Sequence, residues 1–419
     1  MTLADRARVL GDDKSLPAWA VGLNVEDVLT RLPRVNEFWT PLLLVDRQRL
    51  THNIGFLATW AIERGLEHMP HGKTSMSPEL WREQIDAGAS GITVATPWQA
   101  RIAVESGIST VMLANQVADP HTAQWLAGHQ GESTQVMSWV DSPTSVELLG
   151  AAGVAASGEV PVLVELGRPG GRTGTRTMAD ARSLIRLVHD TPGVKLAGIA
   201  GYEGAITHGR GADALATVRT YVTDLVDLAI EARVGNEALI VTAGGSAYPD
   251  AVADALEPAV AAGMRGVVRC GAYVLHDEGH YLDVSPFDHT RWQGGLVPAA
   301  RALARVVSAP EPGLVLLDAG KRDLPYDEGL PVPVAAFSTQ GARGDGGGEL
   351  PLPDAHVDAM NDQHTFVRTG SADLTVGDVV VLGLSHPCTM ADKWRLIPVV
   401  DSFDAGLEAT VVDFIETRF

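Results

Sequence analysis

Lys73 closes the string Pro70-His71-Gly72-Lys73-Thr74, directly after a short apolar segment. A lysine at the end of a strand can condense with an aldehyde when a polar pocket supplies its free amine. The string alone is weak, because most lysines after a strand are simply solvated. Near the other end of the chain, His386 and Cys388 follow the apolar run 379–384. As i and i+2 on an extended segment they can point the same way. Imidazole plus thiolate is a borderline-soft donor set that suits Zn²⁺. Two ligands fall short of the usual three, so substrate, water or another side chain must complete the shell. Asp392 and His364 are the neighbours to consider, and each reads more readily as a structural or supporting residue.

Two glycine-bearing turns add a place for a phosphate. Gly244-Gly245-Ser246 follows the apolar strand 239–241, where main-chain N–H groups and a serine hydroxyl can converge on an anion. Gly271-Ala272-Tyr273 ends the next strand and would complete the cradle. An ordinary strand-to-loop turn is the competing reading of both. Arg172 lies in the glycine-rich loop ELGRPGGRTG, where a guanidinium could hold a phenolate oxygen or a carboxylate. A surface arginine in a flexible loop is the plain alternative.

Stepping along the chain, β-rich runs recur at 67–73, 91–95, 110–115, 135–140, 160–166, 194–202, 238–245 and 266–274, with amphipathic stretches between them. An earlier run, 41–46, precedes them. Eight strands alternating with helices predict an α/β fold, a (β/α)8 TIM-like barrel. A doubly wound open sheet shares that alternation. The glycine-rich and polar residues sit at the strands' C-terminal ends, where a barrel carries its active site, and 238–245 is the seventh strand, next to the usual phosphate position. Beyond residue 285, short β-branched runs at 303–308, 313–318, 332–337, 365–369, 378–384 and 396–401 predict a second, mainly antiparallel β domain. Residues 341–353 read as a surface loop. The expected division is an N-terminal segment 1–39 packing with the β domain, a barrel 40–285, and a β domain 286–419 carrying the metal pair.

Composition narrows the partners. The chain has 419 residues, 52 acidic against 32 basic, for a formal charge of −20. That balance argues against nucleic acid and anionic membranes, both of which select basic surface. No run reaches the eighteen or more apolar residues of a membrane span, and residues 1–14 show no secretory h-region. Two cysteines, Cys270 and Cys388, fit a reducing compartment, so a cytoplasmic location is the expectation.

At this point the motifs resemble the fold-type III pyridoxal-phosphate enzymes, the alanine-racemase-like barrels, and among them the D-serine dehydratase / D-threonine aldolase group. The similarity is carried by PHGKT at Lys73, GRTG at Arg172, GYEG at Tyr202, TAGGS at 242–246, RCGAYVLHD at 269–277, DAGKRD at 318–323 and SHPC at 385–388. NDQH at 361–364 and HPCTMADKW at 386–394 look closest to the low-specificity D-amino-acid deaminases. The group more often has other residues where Met69, Ser75, Asp362-Gln363 and Cys270 stand, a difference that bears on substrate. The resemblance implies pyridoxal 5'-phosphate on Lys73, which also acts as base at Cα. Arg172 and Tyr202 would contact the cofactor, with Gly245, Ser246, Gly271 and Tyr273 at its phosphate. Zn²⁺ on His386 and Cys388 would help the β-hydroxyl leave. It implies a dehydratase that converts D-serine, D-threonine or a similar small-molecule substrate to a 2-oxo acid and ammonia, working as a homodimer. The alternatives are retro-aldol cleavage, where H-x-D rather than H-x-C is the family's usual pair, and a non-catalytic cofactor-binding protein.

Overall fold

The computed structural model of the protein describes residues 4–131, 133–338 and 348–419. Among the described residues, β1 (Leu42–Asp46) leads into the helix Arg47–Glu63, and eight parallel strands follow with helices between them. They are β2 (Glu67–His68), β3 (Ile92–Val94), β4 (Thr110–Gln116), β5 (Gln135–Val140), β6 (Val160–Glu165), β7 (Val194–Ala200), β8 (Ile240–Ala243) and β9 (Arg265–Val268). Their order is β2-β9-β8-β7-β6-β5-β4-β3. The ends of that order meet: the Ser90 N–H donates to the His68 carbonyl and the Thr93 N–H to the Pro70 carbonyl, each at 2.9 Å, and His71 bridges Thr93 in parallel. The sheet therefore closes into the expected barrel, and the open doubly wound alternative is set aside.

Period-two alternation makes both faces apolar. Met112, Met137, Trp139, Leu163 and Ile240 fill the interior with Met69, Ala200 and Val267. Their strand neighbours Val111, Leu113, Val136, Val140, Val162 and Val164 join the outer core under the helices. Several helices begin at once after their strand. Thr96, Asp119 and Ser142 cap helices whose first residues are Pro97, Pro120 and Pro143. Short, capped loops leave a narrow rim on which functional side chains can be held.

The second domain adds β10 (Ala300–Glu311), β11 (Leu314–Leu317), β12 (Val332–Phe337), β13 (Glu349–Leu350), β14 (His356–Met360), β15 (Thr365–Arg368), β16 (Val379–Gly383), β17 (Leu396–Val400) and β18 (Val411–Glu416). Among the described residues one sheet runs β13-β12-β16-β10-β1-β17-β18, with β11, β15 and β14 branching from β10. All its pairings are antiparallel except β1 with β17. Sheet membership departs from the expected division at residue 40, because β1 lies in the middle of this sheet rather than in the barrel. Its alternating side chains explain the placement. Leu42 and Leu44 face a core shared with Leu10, Leu16, Val28 and Phe38 of the N-terminal segment, while Leu43 and Val45 face the main core. Of the predicted loop 341–353, residues 341–347 lie outside the described residues. Glu349–Leu350, read as loop, pairs with β12 because Leu350 packs against the main core. No described helix is long and apolar enough to cross a membrane.

Candidate active site

The chain reverses after β2 in a 3₁₀ turn, Gly72–Thr74, that displays Lys73 on the barrel rim. Gly72 is buried against Ile92 and Trp81, and the Trp81 indole N–H donates to its carbonyl at 3.2 Å. The Arg418 N–H donates to the Met76 carbonyl at 2.8 Å, so the C-terminal end of the β domain backs the same turn. Lys73 has no ion-pair partner among the described residues. His71 beside it is held well below the usual imidazole range, first by burial and then by the nearby charges of Lys73, Arg269 and Arg172. Its Nδ1 is buried with no hydrogen-bond partner among the described residues. Three cations and a neutral, unsatisfied imidazole thus share one end of the barrel.

The glycine turns meet there. A Cβ on Gly271 would stand 2.7 Å from the His71 carbonyl oxygen and 3.0 Å from Thr74 Oγ1, so only glycine lets the loop after β9 lie against the lysine turn. Ser246 Oγ accepts from the Ala272 N–H at 3.3 Å and lies near the Tyr281 phenol. One sequence expectation is corrected. The N–H groups of Gly244 and Gly245 both donate to the buried carboxylate of Glu203, so the Gly245 amide is not open to an anion. A second concerns Tyr273, whose hydroxyl is taken by Gln84 Nε2 at 2.8 Å inside the core, leaving only its main chain for a phosphate. Ser246 and the main chain of 271–272 are what remain of the expected phosphate set, with the Ala272 N–H itself engaged by Ser246 Oγ.

Arg172 stands with its guanidinium carbon 4.5 Å from the centroid of the Tyr202 ring. Its loop is not loose: Thr173 Oγ1 donates to Glu165 at 3.1 Å, and the Gly174 N–H to Asp141 at 3.1 Å. Burial raises the Tyr202 phenol, with Glu203 adding to it, and burial raises Tyr281 well above its ordinary value, with the Cys388 side chain next in effect. Both phenols stay protonated at neutral pH. Burial pushes the Cys270 thiol up to about 12, so it is inert.

The β domain delivers the other pair. Past β16 the chain turns through Pro387–Thr389, and Cys388 Sγ comes 3.3 Å from Thr74 Oγ1, next to Lys73 in sequence. His386 Nδ1 is 2.7 Å from Asp327 Oδ2. Burial disfavours its charge, but Cys388 and Asp327 more than offset this and hold it at about 9. His364 is exposed on the β14–β15 turn and Asp392 pairs with Lys393, so neither joins them. Among the described residues no group of three or more His, Cys, Asp or Glu forms a metal-ligating cluster.

Residues that sequence reasoning passed over include Asp327, Tyr281, Glu203, Asp277 and Arg269. Asp277 is buried, accepts from the Gly279 and Tyr281 N–H groups at 3.0 and 2.8 Å, and is raised to about 7 by burial. The Arg269 guanidinium is buried, donates to the Gly201 carbonyl at 2.7 Å and lies 4.9 Å from the Trp139 ring centroid. Glu203, Arg269 and Asp277 carried a signal, since each sits inside a motif that begins just past a strand end.

A parallel barrel with a lysine on its C-terminal rim, joined to a β domain that supplies imidazole and thiol, defines a two-domain cofactor-binding enzyme class. Residues 45–271 match the family described as alanine racemase, N-terminal domain, and the chain belongs to that family. Residues 299–400 match the putative serine dehydratase domain. Together these place it among the fold-type III pyridoxal-phosphate enzymes. The chain is 27% identical over 355 residues to a D-threonine aldolase of Arthrobacter sp, covering 83% of this chain and 85% of that one. It is 29% identical over 170 residues to a D-threo-3-hydroxyaspartate dehydratase of Delftia sp. (strain HT23), covering 40% and 44%. The solved D-threonine aldolase from Filomicrobium marinum shares the fold, with TM-score 0.75, 22% identity and coverage of 91% and 96%. The nearby charges of Lys73, Arg269 and Arg172 and the unsatisfied His71 Nδ1 suit a phosphorylated aldehyde.

Proposed function

We propose that the protein is a pyridoxal-phosphate- and Zn²⁺-dependent dehydratase that converts β-hydroxy-D-amino acids such as D-serine or D-threonine to 2-oxo acids and ammonia. The observation that supports the reading is the 3.3 Å contact between Thr74 Oγ1 and Cys388 Sγ, which brings the thiol of the β domain to the residue that follows Lys73. When bound, the cofactor supplies an electron sink for charge developing at Cα, and the metal a Lewis acid for the departing hydroxyl. Lys73 would hold the aldehyde through its amine and move the Cα proton. Ser246 and the Gly271–Ala272 main chain would take the phosphate, and Arg172 with Tyr202 would flank the ring. His386 and Cys388 would hold Zn²⁺, for which imidazole and thiolate are matched in softness. Tyr281, kept as a phenol, can donate a hydrogen bond beside Ser246 but cannot act as a base. Loss of the Cα proton and the β-hydroxyl leaves an aminoacrylate, whose hydrolysis gives the 2-oxo acid and ammonia.

A second reading is retro-aldol cleavage, favoured by the likeness to D-threonine aldolase over most of both chains. Cys388, where the resemblance gives aldolases an aspartate, favours dehydration. D-Threonine with and without chelator separates the two. The expected products are chelator-sensitive 2-oxobutanoate and ammonia. Glycine and acetaldehyde would make the protein an aldolase instead.

A further inference from the structure

We propose that Asp327 is the positioning residue for His386: its carboxylate fixes the imidazole in the tautomer and rotation that present Nε2, beside the Cys388 thiol, to a metal ion. This rests on the metal reading given above. Asp327 Oδ2 lies 2.7 Å from His386 Nδ1, and Oδ1 accepts from Thr389 Oγ1–H at 2.7 Å. One carboxylate therefore ties both ends of His386–Thr389 and spans Cys388. Ionised, it can only accept, so the ring hydrogen must sit on Nδ1 and the neutral ring keeps its lone pair on Nε2. That is the arrangement by which carboxylates orient metal-binding histidines.

Thr389 sharpens the assignment. Its hydroxyl is 3.4 Å from His386 Nδ1 while its hydrogen is committed to Asp327. Without Asp327 that hydroxyl is free to donate to Nδ1, which would push the ring hydrogen onto Nε2 and block coordination. The loop itself does not depend on Asp327. Ser385 Oγ donates to the Gly329 carbonyl at 2.7 Å, and the N–H groups of Glu278 and Gly279 donate to the Leu384 carbonyl at 3.1 Å. Asp327 is also the more exposed partner, 43% against 18% for His386, so replacing it opens no core.

The test uses the cofactor-loaded protein and reads Zn²⁺ affinity by competition with a chromophoric chelator, alongside cofactor absorbance and thermal midpoint. Asp327→Ala should bind Zn²⁺ about 10–100-fold more weakly than wild type. Its cofactor absorbance and its midpoint without metal should not change. Adding Thr389→Val to Asp327→Ala should recover part of the affinity, because the competing donor is gone; a role in merely bracing the loop predicts a further loss. Equal affinity in wild type and Asp327→Ala, or weaker binding in the double variant, overturns the assignment alone. A wild-type protein that takes up no Zn²⁺ overturns the metal reading, and the assignment with it.

Discussion

Gly271→Ala tests whether the loop after β9 must touch the lysine turn. Gly271 has φ −116° and ψ −42°, a right-handed conformation open to any residue, so the substitution adds no backbone strain. Its whole effect is steric. The new methyl would stand 2.7 Å from the His71 carbonyl oxygen, 2.8 Å from His71 Cβ and 3.0 Å from Thr74 Oγ1. Ordinary contact begins near 3.5 Å, so the two turns must part by about 0.7 Å. The lysine turn is pinned from behind by Trp81 and by the Arg418 N–H, which leaves the 271–272 main chain to move. That motion draws the Ala272 N–H away from Ser246 Oγ, now 3.3 Å apart, and distorts the proposed phosphate cradle. Overpacking of this kind costs about 1–3 kcal/mol. A loss of about 1.4 kcal/mol in cofactor binding is about tenfold in affinity. Titration of pyridoxal phosphate into the purified apo-protein, followed by absorbance, reads the second number, and denaturant unfolding of the same sample reads the first. An alanine variant with wild-type unfolding and wild-type cofactor affinity would refute the reasoning.

Two further outcomes follow from buried groups. Glu203→Gln puts an amide where Gly244 and Gly245 both donate, and it removes the negative charge that most favours buried Arg269; unfolding should lose about 3 kcal/mol, and an unchanged denaturant midpoint would count against that role. His68, fully buried with Nε2 on the Cys270 carbonyl at 3.0 Å, is depressed by burial from 6.5 to about 4. Between those values the unfolded chain binds the extra proton, so His68 takes away about 3 kcal/mol of stability as pH falls from 6.5 to 4 and nothing above 6.5. The stability gap between wild type and His68→Gln should shift by that amount across this window; a gap independent of pH would contradict it.

Much of the barrel was legible in the chain because its signals are local. Runs such as 160–166 are apolar and short, the turns after them are rich in glycine, and capping residues followed by proline mark where helices start. Lys73 and the H-x-C pair stood out for the same reason: each lies at or within four residues of the end of a predicted strand, where a side chain is exposed. By itself, then, the sequence determined the strand-and-helix alternation, the switch to an antiparallel domain, and which residue types were present to do chemistry. Which of them meet was decided only by the tertiary structure. The expected boundary at residue 40 groups β1 with the barrel, yet it joins the second sheet because its two apolar faces each find a core there. Gly245 reads as a phosphate donor, but Glu203, forty-two positions away, takes its amide. Asp327 lies in an unremarkable acidic turn 59 residues before His386, and Cys388 reaches Thr74 across 314 residues. Hydrogen bonds act over about 3 Å, whereas sequence patterns report only on neighbours within a turn or a strand. Partners so far apart along the chain become visible only once closure of the barrel and docking of the second sheet have brought them together.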